Sequence, residues 1–273
     1  MIATIARATA AVPYGDLGVF GDALGAFVGS LLRMRRAHVE SSMARAGVAN
    51  AAETARGMYA SLGRSFVEVL WMTGGHRDLS QLVRIDPRAL AELRGGAVLA
   101  ASHTGNWEIA SCFVATRAPM LVVTKHLSAG WIDRYWQSSR ARYGVTITAA
   151  VGAYDRARAH VREGGSVAMM IDQVPNKKAH GLEVEFLGAP AWVDRAPATV
   201  AARANVPLVV PAARRLEDGT QEVMVLDVIS PPKRASRDWI DEATIRATHV
   251  LDRFVRENPT EWLWMHRRWK SLS

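Results

Sequence analysis

Beyond Pro87 the chain repeats a pattern that few folds can satisfy. Short, uninterrupted apolar runs at Ala97 to Ala101, Met120 to Thr124, Val167 to Ile171 and Leu208 to Pro211 are separated by amphipathic stretches. A strand that is apolar on both faces must be covered on both faces, which points to a largely parallel sheet between two helical layers. Trp131 to Tyr143, Tyr154 to Glu163 and Pro197 to Asn205 have the spacing of crossover helices. Val223 to Ile229 predicts a late strand, and the stretch from about Trp239 to Glu257 predicts a closing helix. The expected fold class is therefore α/β, a mostly parallel mixed sheet flanked by helices.

The first quarter has a different texture. The stretches 37–47 and 51–73 are Ala-rich with apolar residues at helical spacing, among them Met58, Leu62, Phe66, Val69 and Leu70, and stop at Gly74-Gly75. They predict an N-terminal helical layer over about residues 1–75, followed by an α/β core over about 80–273. No repeat or composition break marks a second unit, so 1–273 is expected to be one domain. The run from Leu17 to Leu32 is broken by Asp22 and is shorter than the ~20 residues of a spanning helix. Within it Gly21, Gly25 and Gly29 share one helical face, which suits close helix packing. A second reading is interfacial, because Phe20, Leu24, Phe27, Val28, Leu31 and Leu32 precede the basic Arg33, Arg35 and Arg36. The opening residues do not read as a signal peptide, and a cytosolic location is expected.

Charge narrows the partners. With 34 Lys and Arg against 26 Asp and Glu the net charge is +8, which favours nucleic acid, an anionic membrane surface or an acidic substrate. The single cysteine, Cys112, cannot form an internal disulfide, and no Cys/His cluster has zinc-site spacing, so no metal is expected. Cys112 falls on a helix that should pack on the sheet, which suits a buried, inert thiol. Serine-hydrolase, Walker and dinucleotide motifs are missing from the sequence.

The densest chemistry is in Ala97-Val-Leu-Ala-Ala-Ser-His103-Thr-Gly-Asn-Trp-Glu108, a strand running through a polar turn into a helix. Such turns present side chains at the carboxyl edge of a parallel sheet. His103 lies in the turn and Glu108 about one helical turn on, so the imidazole is expected to fold back onto that carboxylate. A base with an orienting acid can take a proton from a hydroxyl, and the first amides of the helix can stabilise an oxyanion. For a histidine and an acid alone, a structural role at the helix N-terminus is the favoured reading.

The form His103-Thr-Gly-Asn-Trp-Glu108 resembles the His-x4-Asp/Glu motif of the bacterial lipid A biosynthesis (lauroyl and myristoyl) acyltransferases and their phosphatidylinositol mannoside acyltransferase relatives, within the lysophospholipid acyltransferase-like superfamily. The resemblance extends through Met58 to Glu68, Asp172-Gln173, Gly181 to Gly188 and Glu261 to Lys270, in that order. It implies a glycerolipid acyltransferase-like fold and direct attack of an acceptor hydroxyl on the thioester of acyl carrier protein or coenzyme A. His103 would be the base and Glu108 its partner. The thioester is a co-substrate, and no cofactor is implied.

Asp172-Gln173 follows an apolar run and should reach the same carboxyl edge; the resemblance makes the pair site-lining, and Asn106 with it. In Leu182-Glu-Val-Glu-Phe186 alternation sets Glu183 and Glu185 on one face, either with Glu183 toward the substrate or with both solvated. Lys125, His126, Arg140 and Arg142 could hold donor or acceptor phosphate, with Lys125 standing where the family usually has arginine. The tail combines Trp262, Trp264, Met265 and Trp269 with His266, Arg267, Arg268 and Lys270, and packing near the site is its first reading. Membrane contact is the second reading of the tail.

The expected activity is a membrane-associated O-acyltransferase, peripheral on the cytoplasmic face of the inner membrane. Its acceptor would be a phosphorylated glycolipid, a lipid A precursor or a lysolipid. The alternative is a non-catalytic basic module that binds membranes or nucleic acid; the acyltransferase reading expects no nucleic acid. An apolar groove is required for the acyl chain, since burial contributes about 0.8 kcal/mol per methylene.

Overall fold

The computed structural model describes residues 1–75, 77–124, 129–175 and 177–270. The N-terminal layer consists of α1 (Ile2–Ala10), α2 (Leu17–Ala26), α3 (Arg36–Arg45) and the long α4 (Ala51–Gly74). The core continues through β1 (Val83–Ile85), α5 (Pro87–Arg94), β2 (Val98–Ala101), α6 (Trp107–Ala115), β3 (Met120–Thr124), α7 (Gly130–Ala141), β4 (Val145–Ala149), α8 (Ala153–Arg162) and β5 (Ser166–Met170). A hairpin of β6 (Gly181–Phe186) and β7 (Ala189–Asp194) follows, then α9 (Ala196–Ala204), β8 (Leu208–Arg215), β9 (Gln221–Ile229) and α10 (Arg237–Glu257).

The sheet has seven strands in the order β1-β9-β8-β2-β5-β3-β4, parallel except where β8 meets β9. It is the mixed, mostly parallel sheet that the apolar runs require. Successive residues of the central strands feed opposite layers. Val98 and Ala100 of β2 and Val167 and Met169 of β5 pack with α9 and α10, whereas Leu99 and Ala168 pack with α4 and α6. Five elements lie outside the sequence reading: α1, α5, β1, β4 and the return strand β7. The last three have interrupted apolar character, with Arg84, Thr146, Thr148 and Pro190 inside them. Edge strands β1 and β4 need only partial cover, so no continuous apolar run marks them.

The glycine face of α2 packs on α4. A Cβ at Gly25 would lie 2.3 Å from the Tyr59 carbonyl oxygen, and one at Gly21 would lie 2.4 Å from the Arg64 Cα. The bidentate Asp22–Arg64 pair, with both contacts at 2.6 Å, closes the seam. After α2 a π-helical turn, Phe27–Leu31, leads to a sharp corner, and the axis bends by 91° into α3. No single helix among the described residues is long and apolar enough to cross a membrane.

Backbone contact at this seam generates a prediction. Gly63→Val places a Cβ where 2.1 Å separates it from the Gly21 carbonyl oxygen, so α2 must move away, and a loss of about 1–3 kcal/mol is expected in denaturant unfolding. Gly18→Ala meets nothing within 4 Å and should be neutral or gain up to about 1 kcal/mol from helix propensity. Equal responses at the two positions would contradict this packing.

Candidate active site

β2 and β5 are hydrogen-bonded neighbours with Ala101 opposite Met170, and the Ile171 amide donates to the Ala101 carbonyl at 2.9 Å. Two residues beyond that register, His103 and Asp172 leave the sheet side by side. The His103 backbone amide donates to Asp172 Oδ2 at 2.7 Å, and His103 Nδ1 lies 3.0 Å from Oδ1. Asp172 is fully buried, and its Oδ2 also accepts from the Trp262 indole Nε1 at 3.0 Å. The imidazole sits edge-to-face against Trp107 and His266, with ring centroids 5.0 and 4.9 Å away. With Nδ1 committed to Asp172, Nε2 has no protein partner among the described residues, and the side chain is 12% exposed.

The turn is built to hold this geometry. Gly105 has φ +52°, and a Cβ there would lie 2.7 Å from the Ala213 backbone. Both conditions call for glycine. The Ala213 amide donates to Thr104 Oγ1 at 3.1 Å. The C-terminal strap pairs with the same turn: Gly105 N donates to Glu261 O at 2.8 Å, Leu263 N to His103 O at 3.1 Å, and Thr104 bridges Trp262.

The expected contact between His103 and Glu108 is not made. Glu108 points instead to Arg140 of α7, accepting from Nε at 2.9 Å and from Nη2, and also takes the Trp107 indole N–H at 3.1 Å. The sheet register delivers Asp172 to the imidazole first, and the first turn of α6 rotates Glu108 toward α7. Arg140 is thus at the site's flank, already paired. Arg142 holds the end of α4, donating to the Thr73 carbonyl at 2.6 Å, which makes it a clamp between helices and not a free phosphate ligand.

Asn106 is also corrected. It is 1% exposed, caps α6 by accepting from Ile109 N at 3.2 Å, and donates to Glu68 Oε2 at 2.8 Å. With its amide engaged inside the protein, it shapes the turn and does not line the substrate space. Glu183 and Glu185 are exposed on β6, opposite buried Val184 and Phe186, so Glu183 is the solvated alternative. Gln173 is partly exposed beside Asp172. Lys125 and His126 lie outside the described residues.

Electrostatics follow from these contacts. Burial opposes charging of His103, but Asp172, by charge and hydrogen bond, and then Glu108 raise its pKa above the ordinary histidine value. Burial also works against the Asp172 carboxylate, yet His103 holds its pKa below the usual range. His266 is pushed down to about 4 by burial and by His103. Burial and the Glu108 charge push Cys112 up to about 12, keeping the thiol protonated. The residues in contact with the His103–Asp172 pair that sequence reasoning missed are Trp262, as a donor to Asp172, and His266, as a ring neighbour. Both stood in the tail assigned to packing, and no local signal told a core tryptophan from one with a committed N–H.

A family model described as bacterial lipid A biosynthesis acyltransferase matches residues 1–271. No curated protein matches the chain. Among solved structures, the 1-acyl-sn-glycerophosphate (LPA) acyltransferase PlsC from Thermotoga maritima is similar at 10% identity and a TM-score of 0.42, over 87% of this chain and 97% of that one.

The His103–Asp172 contact makes a directional prediction for a ¹⁵N NMR titration. In the wild type His103 titrates above the ordinary value, held there by the two carboxylates. Asp172→Asn removes the nearer charge and leaves burial, so the midpoint falls; Glu108→Gln lowers it less. A midpoint indifferent to Asp172→Asn would refute the pairing.

Proposed function

The chain belongs to the bacterial lipid A biosynthesis acyltransferase family, and on that premise we propose that His103 is the general base of direct acyl transfer from a thioester to a lipid hydroxyl. Acyltransferase membership sets aside the non-catalytic basic module. The observation that carries the proposal is the His103–Asp172 pair: Nδ1 is committed to a buried carboxylate, and Nε2 is left without a partner among the described residues.

In this reading Asp172 fixes the tautomer with the proton on Nδ1, so Nε2 can accept the proton of the acceptor hydroxyl. The oxygen attacks the thioester carbonyl. Asp172 and Glu108 stabilise the imidazolium that forms, and the Trp107 and Glu108 amides at the start of α6 have no acceptor among the described residues to divert them from the oxyanion. Collapse breaks the carbon–sulfur bond, and the leaving thiolate takes the proton back from Nε2. The thioester is already activated, so the scheme calls for no cofactor. Acyl carrier protein and coenzyme A both suit it as donors, and a phosphorylated glycolipid, lipid A precursor or lysolipid suits it as acceptor.

Membrane docking is part of the same proposal. The face of α2 away from its glycine seam continues into the corner, and it leaves Val19, Phe20, Phe27, Leu31, Leu32 and Met34 exposed beside Arg33 and Arg35. That combination suits shallow insertion into an anionic leaflet. Arg35 also donates to the Met265 carbonyl at 2.6 Å, so the corner adjoins the strap that backs His103. The location proposed is peripheral, on the cytoplasmic face of the inner membrane.

His103→Ala should cut transfer of label from a fatty acyl thioester into host lipid by about 10²–10⁴-fold, with the circular dichroism spectrum unchanged. Undiminished transfer would overturn the proposal. Lipid mass spectrometry of the host with and without the gene should differ by one acyl chain and so identify the acceptor. For docking, Phe27→Asp with Leu31→Asp should abolish flotation with phosphatidylglycerol vesicles while leaving the unfolding midpoint nearly unchanged, because both side chains are exposed. Retained flotation would place docking elsewhere.

A further inference from the structure

The C-terminal strap does more than cover the sheet. Trp262 is 1% exposed, and its ring is packed edge-to-face on Phe186 at 5.4 Å and on Trp264 at 4.9 Å. Its backbone is fixed by the bridge to Thr104 and by the flanking bonds to His103 and Gly105. The indole therefore has little rotational freedom, and its single N–H is spent on Asp172 Oδ2 at 3.0 Å. An apolar side chain of similar size would fill the same space without that donor.

We propose that Trp262 is a positioning residue for acyl transfer: its N–H shares the Asp172 carboxylate with His103, fixing the oxygen to which Nδ1 binds and tempering the carboxylate's pull on the imidazole proton. The inference rests on His103 acting as the base. Among the described residues Asp172 has three donors, the His103 amide, His103 Nδ1 and Trp262 Nε1. Removing the indole donor leaves the negative charge less well stabilised. The protonated imidazole then becomes the better counter-charge, and His103 holds its proton to higher pH.

Other charges around the pair come from three directions. Glu108 and Arg140 face it from α6 and α7, and His266 and Arg268 from the strap. Arg35 acts on His266 from the corner before α3. None of these groups changes in Trp262→Phe, which keeps an aromatic ring in place. Arg268 is 1% exposed and anchors the strap by donating to the Trp192 carbonyl and, at 3.4 Å, to the Ile171 carbonyl. This anchor does not depend on the indole N–H.

The test is made on the full chain with Trp262→Phe. In ¹⁵N NMR, the His103 midpoint should rise by roughly half a pH unit, and the acid limb of kcat/KM should move up with it. With labelled fatty acyl thioesters and total host lipid, kcat should fall about tenfold, the loss expected for one charge-assisted hydrogen bond, with KM unchanged. A purely structural role would lower the unfolding midpoint and leave the His103 titration where it is, and that result overturns the inference. If Trp262→Phe does not fold, benzothienylalanine at position 262 keeps the bicyclic shape and lacks only the N–H; the same shift is required of it. His103→Ala, run in parallel, separates the two failures. Retained activity there sinks the base assignment, whereas loss of activity there with an unmoved titration in Trp262→Phe sinks only the role of Trp262.

Discussion

The site depends on one buried carboxylate. Asp172 has no solvent exposure, and a carboxylate taken out of water is costly unless its oxygens are hydrogen-bonded and its charge is matched. Here the partners come from segments far apart in the chain: the turn after β2 supplies an amide and an imidazole, and the C-terminal strap supplies an indole. Satisfying Asp172 therefore requires β2, β5 and the strap to be assembled together. The geometry of the His103–Asp172 pair and folding cooperativity become the same requirement, because a carboxylate that lost one of these donors would be a buried, partly unpaired charge.

This explains which parts were legible in the sequence. The strands that stand in the middle of the sheet announce themselves by unbroken apolar runs, since both faces of β2 and β5 are covered. His103 was recognisable because the strand-turn-helix pattern around it is local. The partner of His103 was not, because nothing within five residues encodes the register of β2 against β5. Glu108 was the nearest acid in sequence and became the expected partner, while Asp172, placed at the correct edge, received only a site-lining role. Arg142 and Asn106 fail in the same way: each has the residue type for binding phosphate or substrate, and each is committed by a contact to α4, at Thr73 for one and Glu68 for the other.

The N-terminal layer has a related division of labour. Along α2 one face is reduced to glycine so that α4 can approach to backbone contact, and the opposite face keeps large apolar side chains in solvent. Of the close packing and interfacial contact that the sequence posed as alternatives, the glycine face makes the first, and the exposed face is the one proposed for the second. Only the first is fixed by internal contacts.

The separation of the two acids also gives the His-x4-Glu spacing a physical content different from a simple contact. Because Arg140 binds Glu108, the carboxylate is held a short distance from the imidazole without competing for Nδ1. Its charge still acts on His103, while its hydrogen bonds tie α6 to α7. Asn106, between the two motif residues, caps the helix and anchors it to Glu68, itself ion-paired with Arg215 of β8. The motif thus sets the histidine at a sheet edge, caps the helix behind it and points an acid toward a neighbouring helix, and the direct partner of the imidazole is left to the strand next door. Substituting either acid alone would disturb a different part of this arrangement: at Asp172 the orientation of the ring, at Glu108 the field around it and the seat of α7.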